Sequence, residues 1–231
     1  MFGIIGAMEE EVNEVKKLMD VKQVQERQGY IFYEGFMNDK SVVLLQGGIG
    51  KVNAAIATTL LLTNYKIDYV INIGSAGGLH SYQNVGDVVV SSCVLHHDVD
   101  VTAFNRQLGE IPGMPLYFTA DTTLLKMVRD ILDEQKVSAH VGLIASGDQF
   151  ISQKQQVEVI QKNFPETMCV EMEAASIAQV CHVFKTKFII TRSLSDIFSK
   201  GDNSVQFDEY LKQASLSSAK MCYALISNLQ Q

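Results

Sequence analysis

Three carboxylate side chains, those of Glu11, Glu173 and Asp196, follow apolar runs that have the composition of buried strands. In open α/β sheets, ligands bind outside the carboxyl ends of the strands. Carboxylates that gather there without a metal are suited to proton transfer and to the binding of hydroxyl groups. These three residues are therefore candidate catalytic groups.

Glu173 lies between an apolar run at 168–170 and an alanine-rich run at 174–178 that favours helix. A strand that ends here, followed at once by a helix, would direct the carboxylate toward a ligand above the sheet. A structural alternative is that Glu173 only complements the dipole of the helix. The other strand ends of the chain favour the ligand site.

Several apolar runs end in segments that are polar or rich in glycine, at 6–11, 46–50, 74–78, 146–151, 172–173 and 193–196. Because strands and helices alternate along the chain, we expect a largely parallel sheet whose strand ends share one edge. The predicted turn at 74–78 would offer backbone N–H groups and the Ser75 hydroxyl to a ligand. Phe150 provides a flat apolar surface on which a ring can stack.

Two motifs suggest other chemistry. The segment 46–51 has the glycines and lysine of a phosphate-binding loop, but Leu45 replaces the first glycine and Val52 replaces the Mg²⁺-binding Ser or Thr. His96 and His97 suggest metal ligands, but adjacent side chains in a strand point to opposite faces. Because no other group has metal-ligand spacing, we expect no metal and no other cofactor.

The 231 residues fit one domain, which we expect to span 1–231, and the net charge of −7 argues against a nucleic-acid partner. The four cysteines are far apart in apolar surroundings, as in the reduced core of a cytosolic protein. The apolar residues 1–8 lack a basic leader and precede three glutamates, so we expect neither a signal peptide nor a membrane span. These features predict a cytoplasmic protein.

Hydrophobic periodicity predicts strands at 2–6, 68–73, 86–95, 141–145 and 188–192, a hairpin at 30–45, and helices that begin near residues 9, 51, 121 and 152. In the helix from residue 51, we expect Val52, Ala55, Ile56 and Thr59 to face inward. The loop at 104–116 is more apolar and aromatic than an exposed segment of a monomer should be, which indicates a lid or a subunit contact.

Six motifs occur in order along the chain, at 3–11, 48–52, 74–78, 146–148, 170–174 and 195–196. Together they resemble the 5′-methylthioadenosine/S-adenosylhomocysteine nucleosidases of the nucleoside phosphorylase superfamily, and the resemblance extends from about residue 2 to the final helix. It implies a three-layer α/β/α sandwich with a central mixed, largely parallel sheet. It also implies a homodimer that hydrolyses the N-glycosidic bond of 5′-thioadenosines, 5′-deoxyadenosine included.

The resemblance also implies catalytic roles for individual residues. Glu11 would deprotonate the attacking water, assisted by Ser75 and Arg192. Glu173 would bind the ribose 2′- and 3′-hydroxyls. Asp196 would protonate the five-membered ring of adenine as it leaves.

The remaining carried-over residues would bind parts of the nucleoside. Ser195 would orient Asp196, and Met172 would pack against the sugar. Phe150 would stack on the base while the backbone of Ile151 contacts its edge. Ile49 and Phe207 would line the pocket for the 5′ substituent. Phe104 and Pro112 would reach this pocket from the 104–115 loop of the partner subunit.

Donation of a proton by Asp196 near neutral pH requires a pKa about three units above the ordinary value of about 3.9. We expect the apolar neighbours Leu194 and Ile197, together with nearby carboxylates, to cause this rise. Two segments depart from the family pattern. Arg106 stands where a tyrosine is expected, and 198–201 replaces a turn of smaller residues.

Three alternatives remain. A purine nucleoside phosphorylase shares this fold, but phosphate needs Arg or Lys at the attack site, where this chain has glutamates at 9–11. Hydrolysis of another 6-amino nucleoside, such as a menaquinone precursor, is a second possibility. The third is a non-catalytic nucleoside-binding protein, which would have no need of a buried acid.

Overall fold

The strands form where β-branched and aliphatic residues cluster, because such side chains pack well on a pleated, buried surface. The computed structural model of the chain describes residues 1–201 and 203–229. Its strands are β1 (Phe2–Gly6), β2 (Asp20–Arg27), β3 (Tyr30–Met37), β4 (Lys40–Gln46), β5 (Tyr69–Asn72), β6 (Ser75–Gly78), β7 (Val88–His96), β8 (Phe118–Thr119), β9 (Ala139–Ser146), β10 (Thr167–Glu171) and β11 (Lys187–Ile197).

α-Helices follow six of the strands in the described structure, namely β1, β4, β8, β9, β10 and β11. The helices are α1 (Glu9–Lys16), α2 (Lys51–Asn64), α3 (Thr122–Glu134), α4 (Lys154–Asn163), α5 (Ala174–Phe184) and α6 (Asn203–Asn228), with short 3₁₀ helices at Thr102–Phe104 and Phe198–Lys200. Asp121 caps α3 by accepting hydrogen bonds from the backbone N–H groups of Thr123 and Leu124. Of the helices within the described ranges, none has the length and apolarity that a membrane span requires.

The strands form one mixed sheet in the order β2-β3-β4-β1-β5-β11-β6-β10-β9-β7-β8. From β4 through β1, β5 and β11 to β6, neighbouring strands are parallel, and the β2-β3-β4 meander at one edge is antiparallel. Helix α6 contacts both α1 and α3, and α2 and α5 form a second group. The expected α/β/α sandwich with a mixed, largely parallel sheet is confirmed.

One half of the sheet curls into a ring, which the sequence analysis did not predict. Strand β11 pairs with β5 through residues 187–190 and with β6 through 193–197. It also pairs with β7, which closes the circuit β11-β6-β10-β9-β7. Strand β11 passes from the open part of the sheet into the ring. Its residues 193–197 therefore lie at the junction between the open part and the ring.

Three expectations about local structure are wrong. Segment 193–196 lies within β11 rather than after a strand that ends at residue 192, because it pairs with β6. Segment 74–78 is mostly strand β6 rather than a turn, because its glycines let it fit tightly beside β11. In α2 the buried residues are Ala54, Ala57, Thr58 and Leu61, whereas Val52 is 68% exposed. Helix α2 approaches the sheet closely, since a Cβ on Gly3 of β1 would lie 2.6 Å from Leu61 Cδ2.

Candidate active site

A cavity of about 370 Å³ opens at the carboxyl ends of the parallel strands. It brings together nearly all of the residues that the sequence analysis selected. Those that line it are Glu11, Ile49, Ser75, Phe150, Ile151, Met172, Glu173, Arg192, Ser195, Asp196 and Phe207. Phe104 and Pro112 are not among the described residues that line it.

Glu11 projects from the first turn of α1 into this cavity and is 2% exposed, whereas its neighbours Glu9 and Glu10 are exposed. Its Oε2 accepts hydrogen bonds from the N–H groups of Ala7 at 2.7 Å and Met8 at 3.1 Å, and its Oε1 accepts one from the N–H of Ser75 at 3.1 Å. Burial raises the pKa of Glu11, and the Arg192 guanidinium opposes that rise. The arrangement suits a general base.

Glu173 is the N-cap residue of α5, and its side chain points into the cavity. Its Oε1 accepts a hydrogen bond of 2.9 Å from the N–H of Gly50. Gly50 has a φ of 93°, a conformation that side chains disfavour, so glycine at this position presents the N–H at little cost. Burial, followed by repulsion from Glu171, raises the pKa of Glu173 to about 8.

Asp196 lies on β11 and is 2% exposed. Its Oδ1 accepts a hydrogen bond of 2.8 Å from the Ser195 hydroxyl, and its Oδ2 accepts one from the Asn203 side-chain amide. Gly77 of β6 must be small, because a Cβ there would lie 2.9 Å from Asp196 Oδ2.

Burial raises the pKa of Asp196, while the hydrogen bonds from Asn203 and Ser195 lower it. Leu194 and Ile197, the apolar neighbours named from the sequence, are both fully buried. The expectation that nearby carboxylates also raise the pKa of Asp196 is wrong, since burial is the only cause that raises it. A buried carboxylic acid with a raised pKa is suited to proton donation near neutral pH.

A buried network that was not predicted from the sequence lies behind these groups. Arg192 is 1% exposed, and its Nη2 donates to Glu171 Oε2 at 2.5 Å and to Asn72 Oδ1 at 2.6 Å. Glu171 also accepts a hydrogen bond from the Ser146 hydroxyl. Arg192 therefore acts on Glu11 through its field rather than through a hydrogen bond. The sequence signal for the network was weak, because each member sits in an ordinary apolar strand.

Aromatic and aliphatic side chains form the outer wall of the cavity. Phe150 and Phe207 meet edge to face, with ring centroids 5.9 Å apart. Ile49 is 52% exposed at the mouth, whereas Ile151 is buried. This wall is apolar enough to hold a flat ring beside the carboxylates.

The residues of the expected partner loop lie away from the cavity. Phe104 ends a short 3₁₀ helix and is 78% exposed, and Arg106 pairs with Glu110 at 2.9 Å. Within this chain, the loop therefore contributes nothing to its own site.

The two adjacent histidines have separate structural surroundings. His96 pairs with the Gln179 side chain and packs edge-on against Phe118. The His97 ring packs directly against Gly147, where a Cβ would lie 2.3 Å from its Nε2. Burial lowers the pKa of both rings.

The chain has a mixed α/β fold, and its cavity places buried carboxylates beside an apolar wall. A family profile described as Phosphorylase superfamily matches residues 1–229. This chain belongs to the phosphorylase superfamily.

Individual proteins and solved structures are also similar to this chain over nearly its whole length. A 5′-methylthioadenosine/S-adenosylhomocysteine nucleosidase of an Exiguobacterium species is 49% identical over 230 residues, which cover 99% of this chain and 98% of the relative. The crystal structure of the Neisseria meningitidis enzyme of that name, in complex with methylthio-immucillin-A, matches with a TM-score of 0.95 at 41% identity and 99% coverage of both chains. A Helicobacter pylori structure described as futalosine hydrolase matches with a TM-score of 0.94 at 31% identity, covering 99% of this chain and 97% of that one.

Replacement of Glu173 by Gln should stabilise the ligand-free protein increasingly as the pH rises. A carboxyl group whose pKa is raised on folding stabilises the fold below its unfolded pKa and loses that contribution as the pH rises through its folded value, here about 8. Since each pKa unit corresponds to about 1.4 kcal/mol, the gain should reach a few kcal/mol. Melting temperatures between about pH 5 and pH 8.5 measure it.

The matched control is Glu158→Gln on α4, where the side chain is 60% exposed. Its melting temperature should follow that of the wild-type protein at every pH. If the difference in melting temperature between Glu173→Gln and the wild-type protein stays constant across the pH range, the raised pKa of Glu173 would be contradicted.

Proposed function

We propose that this protein hydrolyses the N-glycosidic bond of 5′-methylthioadenosine and S-adenosylhomocysteine, releasing adenine and the 5′-thioribose. 5′-Deoxyadenosine should be a further substrate. The proposal is supported by relatives of that name at 45–49% identity over nearly the whole chain. A menaquinone-precursor nucleoside is a weaker candidate, supported by the likeness to the structure described as futalosine hydrolase.

The charge of the cavity is the observation that favours hydrolysis over cleavage by phosphate. Arg192 is the only cationic side chain among the described residues that line it, and Glu171 and Asn72 already occupy its Nη2. A phosphate nucleophile needs free Arg or Lys donors, whereas water needs only a base. The carboxylate of Glu11 would repel phosphate and can accept a proton from water.

Departure of the base is the step assigned to Asp196. As the bond between C1′ and the adenine nitrogen breaks, its electron pair moves onto the base, and the protonated Asp196 transfers its proton to the five-membered ring. Ser195 and Asn203 fix the carboxyl group through the hydrogen bonds described above. A positioned general acid contributes about 10²–10⁴-fold to the rate.

Attack by water completes the reaction. Glu11 takes a proton from the water while the water oxygen bonds to C1′, so the sugar gains a hydroxyl group. Ser75 holds Glu11 Oε1 in place, and the Arg192 charge favours its ionised form. In its ionised form, the carboxylate of Glu173 would stabilise the positive ribose of the transition state and would accept hydrogen bonds from the 2′- and 3′-hydroxyls.

The other lining residues would select the nucleoside. Phe150 would stack on adenine, and the backbone of Ile151 would contact its edge. Met172 would pack against the ribose. Ile49 and Phe207 would surround the 5′-thio substituent at the apolar mouth of the cavity.

Asp196→Asn should lower kcat for 5′-methylthioadenosine by at least about 100-fold, because the amide cannot donate the proton that the base requires. Adenine should still bind, since asparagine has nearly the shape of aspartate and the other lining residues are unchanged. Adenine release assayed spectrophotometrically and adenine affinity measured by calorimetry test both statements.

Asp130→Asn, an exposed substitution on α3, is the control and should leave kcat unchanged. Near-normal turnover by Asp196→Asn would overturn the general-acid assignment. Binding of the nucleoside by the wild-type protein without any turnover would instead favour a non-catalytic nucleoside-binding protein.

We also propose a homodimer in which the 104–115 loop of one subunit completes the site of the other through Phe104 and Pro112. The proposal is supported by the exposure of Phe104 and by the exposed apolar residues Val52 and Ile56 on α2. Large apolar side chains exposed together are typical of protein interfaces.

A mixing experiment tests the shared site. Phe104→Ala and Asp196→Asn should each be weakly active alone when the substrate is below its KM. Subunit exchange between them creates one site with an intact Asp196 and an intact partner loop, so activity should rise above the average of the two. If the loop acts on its own chain, or if the protein sediments as a monomer, activity will stay at that average.

The cytoplasm is the proposed location. Its support is chemical: Cys93, Cys169, Cys181 and Cys222 are free thiols, and all but Cys93 are buried. Free cysteines are typical of reducing compartments.

A further inference from the structure

Glu171 is a buried carboxylate at the back of the cavity that the proposed reaction does not use. It is 8% exposed, and hydrogen-bond donors surround both of its oxygens. Its Oε2 accepts from Arg192 Nη2 at 2.5 Å, from the N–H of Ala174 at 2.9 Å and from the N–H of Glu173 at 3.1 Å. Its Oε1 accepts from the Ser146 hydroxyl. Such a saturated carboxylate holds its donors in place.

The first consequence concerns the start of α5. A helix leaves its first N–H groups unpaired, and the side chain of the N-cap residue normally accepts one of them. Here the N-cap residue is Glu173, and no capping bond from its side chain is present in the described structure. Glu171 takes the first two N–H groups instead, and Ser146 Oγ takes that of Ala175 at 2.8 Å. The Glu173 carboxylate is thereby left for the cavity.

The second consequence concerns the charge of Arg192. A buried guanidinium requires an anionic partner, and removal of that partner is costly. The carboxylates that attract it are Glu171, Glu173 and Glu11. Because Glu171 holds Nη2 directly, the arginine is kept from pairing with either of the other two.

We propose that Glu171 is a positioning residue: it caps α5 and binds Arg192, so that Glu173 remains available to substrate and Glu11 to water. The proposal rests on the proposed hydrolase function and adds to it a residue that touches no substrate. Under this proposal Glu171 and Glu173, two positions apart in the chain, have different roles: Glu171 binds groups of the protein, and Glu173 binds substrate.

Glu171→Gln should move the pH dependence of the reaction. The charged groups that face Glu173 are Glu171, Arg192 and Glu11, together with the N–H of Gly50. Loss of the Glu171 charge removes a repulsion and frees Arg192 to attract Glu173 and Glu11. Both effects lower the pKa of those carboxyls, so the acid limb of the kcat/KM profile should shift to lower pH.

The experiment compares the wild-type protein, Glu171→Gln and Asp121→Asn with 5′-methylthioadenosine as substrate. Asp121 is a matched control because it caps α3 through two N–H groups and pairs with Lys187 far from the cavity. We expect Glu171→Gln to lower kcat at least about 10-fold, since misplacement of a group by 1 Å costs up to about 100-fold. Asp121→Asn should lower the melting temperature without changing kcat or the pH profile.

An unshifted acid limb with kcat within about threefold of the wild-type value would overturn the proposal, even if Glu171→Gln melts at a lower temperature. Should that variant fail to fold, Ser146→Ala removes one donor to Glu171 and keeps the charge. It should lower kcat in the same direction by a smaller factor, and unchanged kinetics would overturn the proposal equally. A wild-type protein that releases no adenine would refute the hydrolase function itself, and this inference with it.

Discussion

Negative charge buried around one cavity is the constraint on which the site depends. Glu11, Glu171, Glu173 and Asp196 are each less than 9% exposed, and among the described lining residues only Arg192 carries a positive charge. One cation cannot neutralise four carboxylates, and isolated buried charges are costly. The structure meets this cost in two ways. Backbone N–H groups and neutral side chains solvate the carboxylates, and the raised pKa values of Glu11, Glu173 and Asp196 allow protons to reside there.

The same constraint is consistent with the proposed cleavage of a glycosidic bond in a cavity where Arg192 is the only cationic side chain among the described lining residues. The transition state carries positive charge on the sugar, which ionised carboxylates favour, and negative charge on the base, which a protonated carboxyl relieves. The two kinds of carboxyl group need different surroundings. Glu11 interacts with the field of Arg192, whereas the hydrogen bonds of Asp196 come from Ser195 and Asn203. Environment, rather than residue type, separates the base from the acid.

The parts of the fold that were predictable from sequence are those whose signals are local. Apolar runs mark the strands, and the polar residues that follow them mark the edge where the site forms. The roles of Asn72, Ser146 and Asn203 were not predictable, because each depends on pairing with a distant segment. The ring closed by β7 and β11 is likewise a long-range contact. The inward face of α2 was misassigned because small residues, rather than the larger Val52 and Ile56, allow close approach to the sheet.

The most direct test of the account is to analyse the products of 5′-methylthioadenosine cleavage in ¹⁸O-labelled water, with and without phosphate. The account predicts free adenine and methylthioribose that carries ¹⁸O in the hydroxyl group on C1. Both products should form at the same rate whether or not phosphate is present. A strict requirement for phosphate, with an unlabelled sugar 1-phosphate as product, would contradict it. In that case the attacking group would not be water, and Glu11 would not be its base.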